Sequence, residues 1–411
     1  MTQRTKLAVL ILAVAMVAVL LGCPKSQPGD IGELPEPPEP VPGAEEPVSL
    51  EGPVKIGAIF SVTGRSAPLG VPEKRTAQML AEQLNEQGGI LGQDVEVIVK
   101  DDKSQPTEAA LAAQDLIENE KVTAIIGPST TPNTMAIVDI CQDAEVPLVS
   151  CAAGAPITNP VKKWVFAVPQ TDVLAVAKII EYLKVEDISS VATIYAANGY
   201  GESGQQQLEE QLPEAGIELL ASESFGGEDT DMTAQLTRIK AQDPEAVICW
   251  GTNPGPATVA KDMNKLGMDM PLLQSHGVAN QKFIELGSDA VEGVMLPAGR
   301  LIVYEEIPED DPQKELLEQY ASDFKEAYGE SADTFGGHAY DAFHIVAEAI
   351  KRAETTDHGA VRDEIEATEK FVGTAGIFTY SPEDHNGLTK DAFVWVKITN
   401  GKWTLAESML Q

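Results

Sequence analysis

The chain has little positive charge and few cysteines. Its 411 residues include 29 Lys and Arg against 64 Asp and Glu, so the formal net charge is −35 at pH 7. This imbalance argues against nucleic acid, whose phosphates require a basic surface, and against docking onto anionic lipid by charge. With 34 Gly and 27 Pro, the chain is neither collagen-like nor wholly disordered. The sequence therefore predicts a globular protein of one or more domains that binds no nucleic acid.

Sequence motifs of several enzyme classes are also missing. The chain contains no Gly-x-x-x-x-Gly-Lys-Ser/Thr phosphate loop, no Gly-x-Ser-x-Gly and no His-Glu-x-x-His. Gly201-Glu-Ser-Gly204 is one residue short of a nucleophile elbow, which leaves a serine hydrolase as a weak alternative. His338, His344, His358 and His385 lack the paired spacing of metal ligands. We therefore expect no enzymatic activity, no cofactor and no metal site.

The N-terminal segment has the pattern of a secretory signal. Arg4 and Lys6 precede an apolar run from Leu7 to Leu21, and no acidic residue occurs before Asp30. The run ends in Leu20-Leu21-Gly22-Cys23, which resembles a bacterial lipobox. The sequence predicts that residues 1–22 are a lipoprotein signal peptide and that Cys23 carries the lipid. An uncleaved anchor helix is the alternative, and either one places the body outside the cytoplasm, at a membrane.

Residues 23–53 are predicted to be a tether. Pro24 to Pro53 hold nine prolines and six glutamates, a composition that favours extended conformations and cannot bury a core. A proline-rich partner-binding motif is the alternative to a linker. We expect this segment to hold a globular body away from the bilayer.

The rest of the chain alternates strands and helices, and part of this pattern repeats. Strand–helix alternation predicts α/β folding with parallel sheets. Gly127–Pro132 and Gly251–Pro256 each follow a buried strand. The next strands end at Ser150–Gly154 and Ser275–Val278. Ser150 lies 23 positions after Gly127, and Ser275 lies 24 positions after Gly251. This correspondence predicts two similar Rossmann-like lobes that present loops at the carboxyl ends of their strands, where ligands bind such sheets.

The predicted lobes exchange segments. The first lobe is expected to comprise residues 54–168 plus 300–373, and the second lobe residues 169–299 plus 374–411. Three crossings between the lobes would form a hinge that closes on a small ligand. They are predicted near Trp164–Gln170, Val291–Leu301 and Gly373–Tyr380. Two independent α/β domains with unrelated sites are the alternative.

Three cysteines remain in the body: Cys141, Cys151 and Cys249. An odd number excludes a full disulfide framework, although a bond between Cys141 and Cys151 stays open. Their apolar surroundings favour buried free thiols.

The body, roughly residues 54–408, resembles the substrate-binding proteins of branched-chain amino-acid ABC importers, which are type I periplasmic binding proteins. The order and spacing of several short segments carry the resemblance: Lys55–Gly64, Gly88–Gly92, Ile125–Ser129, Val146–Ser150, Tyr200–Glu202, Thr230–Thr233 and Glu292–Val294. The resemblance implies a lipid-anchored receptor that closes on a small molecule and delivers it to a membrane permease without chemistry. The same fold also serves in ligand sensing, which is the alternative role.

The resemblance also implies a binding site. In that family the ligand carboxylate meets backbone amides and hydroxyl groups on loops after two strands of the first lobe. The matching positions here are Ser129, Thr130, Thr131, Ala152, Ala153 and Gly154. Helix N-termini behind such amides make a suitable anion site. The aromatic contact from the second lobe matches Tyr200. The repeat adds Asn253, either as a donor in the cleft or as a turn residue.

Three departures from the family pattern bear on the ligand. The family's acidic partner for the ligand ammonium falls where this chain has His276. A family threonine is replaced by Gly154, and a family aromatic by Leu69. Because a buried ammonium requires a carboxylate, these changes leave two ligand classes open. One, which the resemblance favours, is a branched-chain or other hydrophobic amino acid. The other is a carboxylate or amide without an α-ammonium.

His276 also leads to an expectation about pH. An ordinary histidine changes charge between about pH 5 and 8. Protonation would strengthen a hydrogen bond to a carboxylate and would repel an ammonium. The sequence therefore predicts binding that depends on pH over this range, with opposite slopes for the two ligand classes. His338 and Tyr340, at the start of a predicted helix, are further candidates for ligand contact.

The lipobox yields a direct prediction. Replacing Cys23 with Ala removes the thiol that would receive diacylglycerol, so the protein should fold but should no longer partition with membranes. Fractionation followed by mass spectrometry of the mature N-terminus measures both effects. An intact, unlipidated Met1 terminus in the wild type would contradict the prediction.

Overall fold

The computed structural model describes Leu50 and residues 52–406. The predicted signal peptide, Cys23 and nearly all of the tether lie outside these residues. Within the described part of the chain, no helix combines the length and the apolar character needed to cross a bilayer. Cys141, Cys151 and Cys249 are all buried and free, so the open possibility of a Cys141–Cys151 bond is not realised.

The first part of the body alternates strands and helices as predicted. Its elements are β1 Val54–Phe60, α1 Ala67–Glu86, β2 Val95–Asp101, α2 Pro106–Asp115, β3 Ala124–Ile126, α3 Thr131–Ala144, β4 Leu148–Ser150 and β5 Val165–Ala167. Strands β3, β4 and β5 are entirely buried, as expected for strands of a parallel sheet that helices cover on both faces.

The middle part repeats this alternation. Its elements are α4 Asp172–Val185, β6 Ser190–Ala196, α5 Gly199–Glu214, β7 Glu218–Phe225, α6 Thr233–Lys240, β8 Ala246–Trp250, α7 Gly255–Lys265, β9 Leu272–Gln274, α8 Gln281–Gly287 and β10 Met295–Ala298. Helices α4 and α8 were not predicted. The apolar residues of α4 extend over most of its surface, and α8 has only seven residues, so neither shows the clear stripe that marks an amphipathic helix.

The final part returns to both lobes. Its elements are α9 Lys314–Tyr328, α10 Thr334–Ala353, α11 His358–Glu366, β11 Phe371–Val372, β12 Ile377–Phe378, β13 Val394–Thr399 and β14 Lys402–Leu405. Helices α9 and α10 pack on α1, where Tyr320 Oη lies 2.7 Å from Thr76 Oγ1. Strands β13 and β14 join the second lobe.

The two large sheets share one topology. The first has the order β2-β1-β3-β4-β5 and is parallel throughout. The second contains β7-β6-β8-β9-β10 in the same arrangement, extended at β10 by antiparallel β13 and β14. The repeat predicted from loop spacing is therefore a repeat of strand order. One apolar cluster includes Phe166 of the first sheet and Leu296 of the second, so the core continues across the hinge.

The crossings between the lobes differ in detail from the prediction. Strands β5 and β10 lie within the predicted crossings but pair inside the first and second sheets, so the chain crosses only after each of them. The segment that follows the predicted boundary between 373 and 374 also contacts the first lobe. Tyr380 Oη and Asn386 Nδ2 donate to Ala167 O at 3.3 and 3.2 Å, which keeps this segment against the first lobe until the chain enters β13.

Equivalent glycines bring a helix close to a strand end in each lobe. A Cβ atom at Gly70, in α1, would overlap the carbonyl of Ser61, just after β1. A Cβ atom at Gly201, in α5, would overlap the carbonyl of Ala196, at the end of β6. A backbone neighbour cannot move aside as a side chain can. These contacts place the N-termini of α1 and α5 next to the ends of the strands that they follow.

Replacing Gly201 with Ala should lower the free energy of unfolding by about 1–3 kcal/mol, because the added methyl group must displace backbone. Gly199→Ala is the matched control, since a Cβ there would lie 3.6 Å from Pro132 Cγ, an ordinary contact. Urea unfolding of both variants measures the difference. Equal stabilities of the two variants would show that the α5 contact is not tight.

Candidate ligand-binding site

A cavity of about 250 Å³ lies between the lobes, and loops from both sheets form its walls. The first lobe contributes the loops after β3 and β4, which are neighbours in the parallel sheet. The second contributes residues after β6, β7, β8 and β9. The volume is below the roughly 300–1,000 Å³ of pockets for drug-sized molecules, so the cavity suits a small ligand.

The structure places most of the predicted site residues on this wall. Lining the cavity are Ser129, Thr130, Thr131, Ala152, Ala153, Tyr200, Asn253 and His276. Gly154 is not part of the wall, and its amide donates to Thr131 Oγ1 at 3.1 Å. Tyr340 is also absent from the wall, whereas His338 and Leu69 line it. Direct contact of these residues with a ligand stays a prediction.

The first-lobe loops leave backbone amides free at the N-terminus of α3. Thr130 is the N-cap residue, and its side chain makes no capping hydrogen bond. Within the described residues, the amides of Thr131 and Ala153 have no hydrogen-bond acceptor. The Ala152 amide, by contrast, donates to Ser150 Oγ at 3.1 Å. A helix N-terminus with free N–H groups favours an anion, so we expect the Thr131 and Ala153 amides to hold an anion at this end of the cavity, which is called the anion end below.

His276 lies among aromatic rings at the second-lobe wall. Its ring centroid is 6.0 Å from that of Tyr200, 6.3 Å from Trp250 and 5.4 Å from Phe393, all edge-on. Burial lowers its pKa to about 4, and the nearby Gln170 backbone offsets this only slightly. The imidazole is therefore neutral at pH 7, and the expectation that it titrates between about pH 5 and 8 was wrong.

His338 faces the cavity from α10 in the first lobe. Burial, together with the proximity of His276, lowers its pKa to about 3. By hydrogen-bond geometry, Nδ1 of His338 and both ring nitrogens of His276 have no partner among the described residues, although the Gln170 backbone lies close to the His276 ring. A neutral imidazole offers one donor and one acceptor, so the two rings can hydrogen-bond an uncharged polar group.

Asn253 is oriented by a neighbouring asparagine. Its Nδ2 donates to Asn280 Oδ1 at 3.3 Å, and Asn280 caps α8. The Asn253 Oδ1 atom is buried and has no partner in the described part of the chain. The side chain therefore presents an acceptor at the cavity rather than closing its own turn.

Arg65 is the only charged residue in the described wall, because both histidines there are neutral. It also joins the lobes, because its guanidinium donates to Gly227 O and lies 3.5 Å from Glu228. A second interlobe hydrogen bond runs from Ala155 N to Ser203 Oγ at 3.1 Å. The two lobes are thus in direct contact at Arg65 and at Ala155.

Several wall residues were not predicted. They are Arg65, Ser66, Ser104, Pro106, Pro132, Asn133, Cys151, Pro169, Ala196, Asn198, Phe225, Gly227, Thr252, Gly255, Gly277 and Phe335. Phe225 ends β7 and Ala196 ends β6, so the strand-end rule that located the other loops would have found both. Phe335 comes from α10, which reaches the cleft only through packing on α1. Among the described residues, no three potential metal ligands come together.

Comparison with known proteins agrees with this geometry. Residues 53–402 match the family model described as periplasmic binding protein. The chain belongs to the periplasmic binding protein family. A curated relative is the leucine-, isoleucine-, valine-, threonine- and alanine-binding protein of Pseudomonas aeruginosa, 25% identical over 84% of this chain and 90% of its own length.

Solved structures confirm the predicted two-lobed fold of this periplasmic binding protein. An extracellular ligand-binding receptor from Rhodopseudomonas palustris superposes with a TM-score of 0.82 and 30% identity, covering 86% of this chain and all of that one. The branched-chain amino acid transporter substrate-binding protein of Streptococcus pneumoniae, solved with isoleucine, has a TM-score of 0.75 and 26% identity over 86% and 99% of the two chains.

The state of His276 can be measured directly. Ring-nitrogen NMR, assigned with a His276→Phe variant, should give a midpoint near pH 4 in the ligand-free protein. The folded pKa lies below the usual 6.5, so this residue stabilises the fold fully above about pH 6.5. That contribution should fall as the pH drops towards 4, since the unfolded chain takes up a proton first. A midpoint between pH 6 and 7 would contradict the buried, neutral assignment.

Proposed function

We propose that this protein is a lipid-anchored extracytoplasmic receptor that closes on a small carboxylate lacking an α-ammonium and delivers it to an ABC permease. One observation supports the ligand class above all. The described cavity wall offers free amides and one arginine, but no aspartate or glutamate.

The anion end supports a carboxylate. The Thr131 amide at the N-terminus of α3 and the neighbouring Ala153 amide can both donate to a single carboxylate group, with Thr130 and Ser129 beside them. Charge-assisted hydrogen bonds of this kind are stronger than those between neutral groups. Arg65 adds a positive charge at the rim.

The other polar groups of the wall do not suit an ammonium. A charged amine buried away from water requires a carboxylate partner, and neutral imidazoles do not supply its charge. His276, His338 and Asn253 Oδ1 instead offer hydrogen bonds to a hydroxyl, carbonyl or amide. Asp172, a buried acid of α4, lies outside the wall, and burial raises its pKa to about 7.

A branched-chain amino acid is the second candidate. The names of the Pseudomonas and Streptococcus relatives favour it, because both are described with such amino acids. The same relationship supports transport, although a sensing role uses the same closure. Uptake of labelled ligand in a deletion strain separates these roles, since a sensor does not deliver its ligand.

The membrane attachment is also part of the proposal. Cys23 as lipid site, residues 1–22 as signal peptide and residues 23–53 as tether rest on the sequence pattern alone. The membrane would be reached through the lipid anchor only.

Matched ligands test the substrate class. Leucine, 2-hydroxy-4-methylpentanoate, 2-oxo-4-methylpentanoate and 4-methylpentanoate share one carbon skeleton and differ only at the α-position. Calorimetry on the tether-free body should show the three acids binding more tightly than leucine by tenfold or more, because only leucine buries an unpaired ammonium.

Arg65→Gln serves as the companion variant in this experiment. It should lower the affinity for every ligand that binds by a similar factor, since it removes a charge at the rim and a contact between the lobes. Leucine binding with high affinity while the three acids fail to bind would overturn the carboxylate class and favour the amino-acid candidate.

A further inference from the structure

Ser129, at the anion end of the cavity, has an unusual set of hydrogen-bond partners. Its Oγ accepts the Ser61 amide at 2.9 Å and also lies in a very close contact with Glu73 Oε2. A hydroxyl group has two acceptor positions and a single donor. The state of Glu73 therefore decides where the Ser129 proton can point.

Glu73 is fully buried in α1, and no cation among the described residues forms an ion pair with it. The titratable groups that face it come from three other elements: Asp102 after β2, Asp333 before α10 and the Cys151 thiol after β4. The charge of Asp341, in α10, raises the pKa of the same thiol. All of these are acidic or neutral. Burial raises the pKa of Glu73 well above its usual value; the hydrogen bond with Ser129 opposes this shift, and the proximity of Asp102 and Asp333 adds to it.

Two proton arrangements are possible for a neutral Glu73. If Ser129 donated to Oε2, the carboxyl proton would sit on Oε1, which has no partner in the described structure. An unsatisfied O–H donor in the interior is costly. If Oε2–H donates to Ser129, Oε1 is a carbonyl oxygen and both acceptor positions of Ser129 are filled. The Ser129 proton is then free on the cavity side.

We infer that Glu73, held as a neutral acid beneath the cavity, is a positioning residue that makes Ser129 a hydrogen-bond donor to the bound carboxylate. This inference rests on the proposed carboxylate ligand. When Glu73 ionises, Ser129 must donate to it instead, and a negative charge lies behind the anion end. Carboxylate binding then weakens by about tenfold per pH unit above the ionisation midpoint, because one proton must be taken up on binding.

The first test needs no ligand. Infrared difference spectra between the wild type and Glu73→Gln should show a protonated carboxyl band at pH 7 that is absent from the variant. In the wild type, this band should disappear as the pH rises. Glu82→Gln, an exposed glutamate of the same helix, is the matched control and should leave this band in place. Ionised Glu73 at pH 7 would overturn the inference.

The second test measures binding of 4-methylpentanoate and leucine, which both carry a carboxylate. Glu73→Gln keeps a donor to Ser129, so it should bind like the wild type at pH 7 and lose the pH dependence above the infrared midpoint. Ser129→Ala should weaken binding by tenfold or more at pH 7. Normal affinity of Ser129→Ala, or unchanged wild-type affinity across the midpoint, would overturn the inference. If neither probe binds, the proposed function fails, while the infrared result still decides the state of Glu73.

Discussion

Removal of water from the cleft between the lobes is the constraint on which the properties of this site depend. A charge that loses its hydration must be paired or must be neutralised. The same burial that lowers the pKa of His276 and His338 raises that of Glu73 and Asp172. All four groups are therefore shifted towards their uncharged forms. The exception in the wall is Arg65, which remains partly exposed and has Glu228 nearby.

This constraint explains how an acidic protein can present a site for an anion. The formal charge of −35 describes the surface, where carboxylates are hydrated and screened. Inside the cleft, Arg65 carries the only charge of the described wall, and the free backbone amides add dipoles. Local dipoles at the α3 N-terminus act within a few ångströms, so they outweigh a distant surface charge that water screens.

Duplication of the strand order places the two halves of the site opposite each other. In each sheet the central strands end at the same edge, and the hinge turns these edges towards one another. Gly70 and Gly201 support the arrangement in both lobes, because each lets a helix begin next to the strand that precedes it. The cavity is consequently a property of the pair of lobes, and neither lobe contains it alone.

The sequence by itself determined the two-lobed parallel architecture and the loops after β3, β4, β8 and β9 that line part of the cleft. These follow from local patterns: buried strands that end in Gly, Ser and Thr, and the equal spacing from Gly127 to Ser150 and from Gly251 to Ser275. Tertiary structure alone decided that Gly154 is already hydrogen-bonded and that Arg65 bridges the lobes. It also brought Phe335 and His338 into the wall from a helix some 200 residues after β3, and it set Glu73 beneath Ser129. Protonation states depend on these distant neighbours, because burial and hydrogen-bond partners, rather than residue type, determine the cost of a charge.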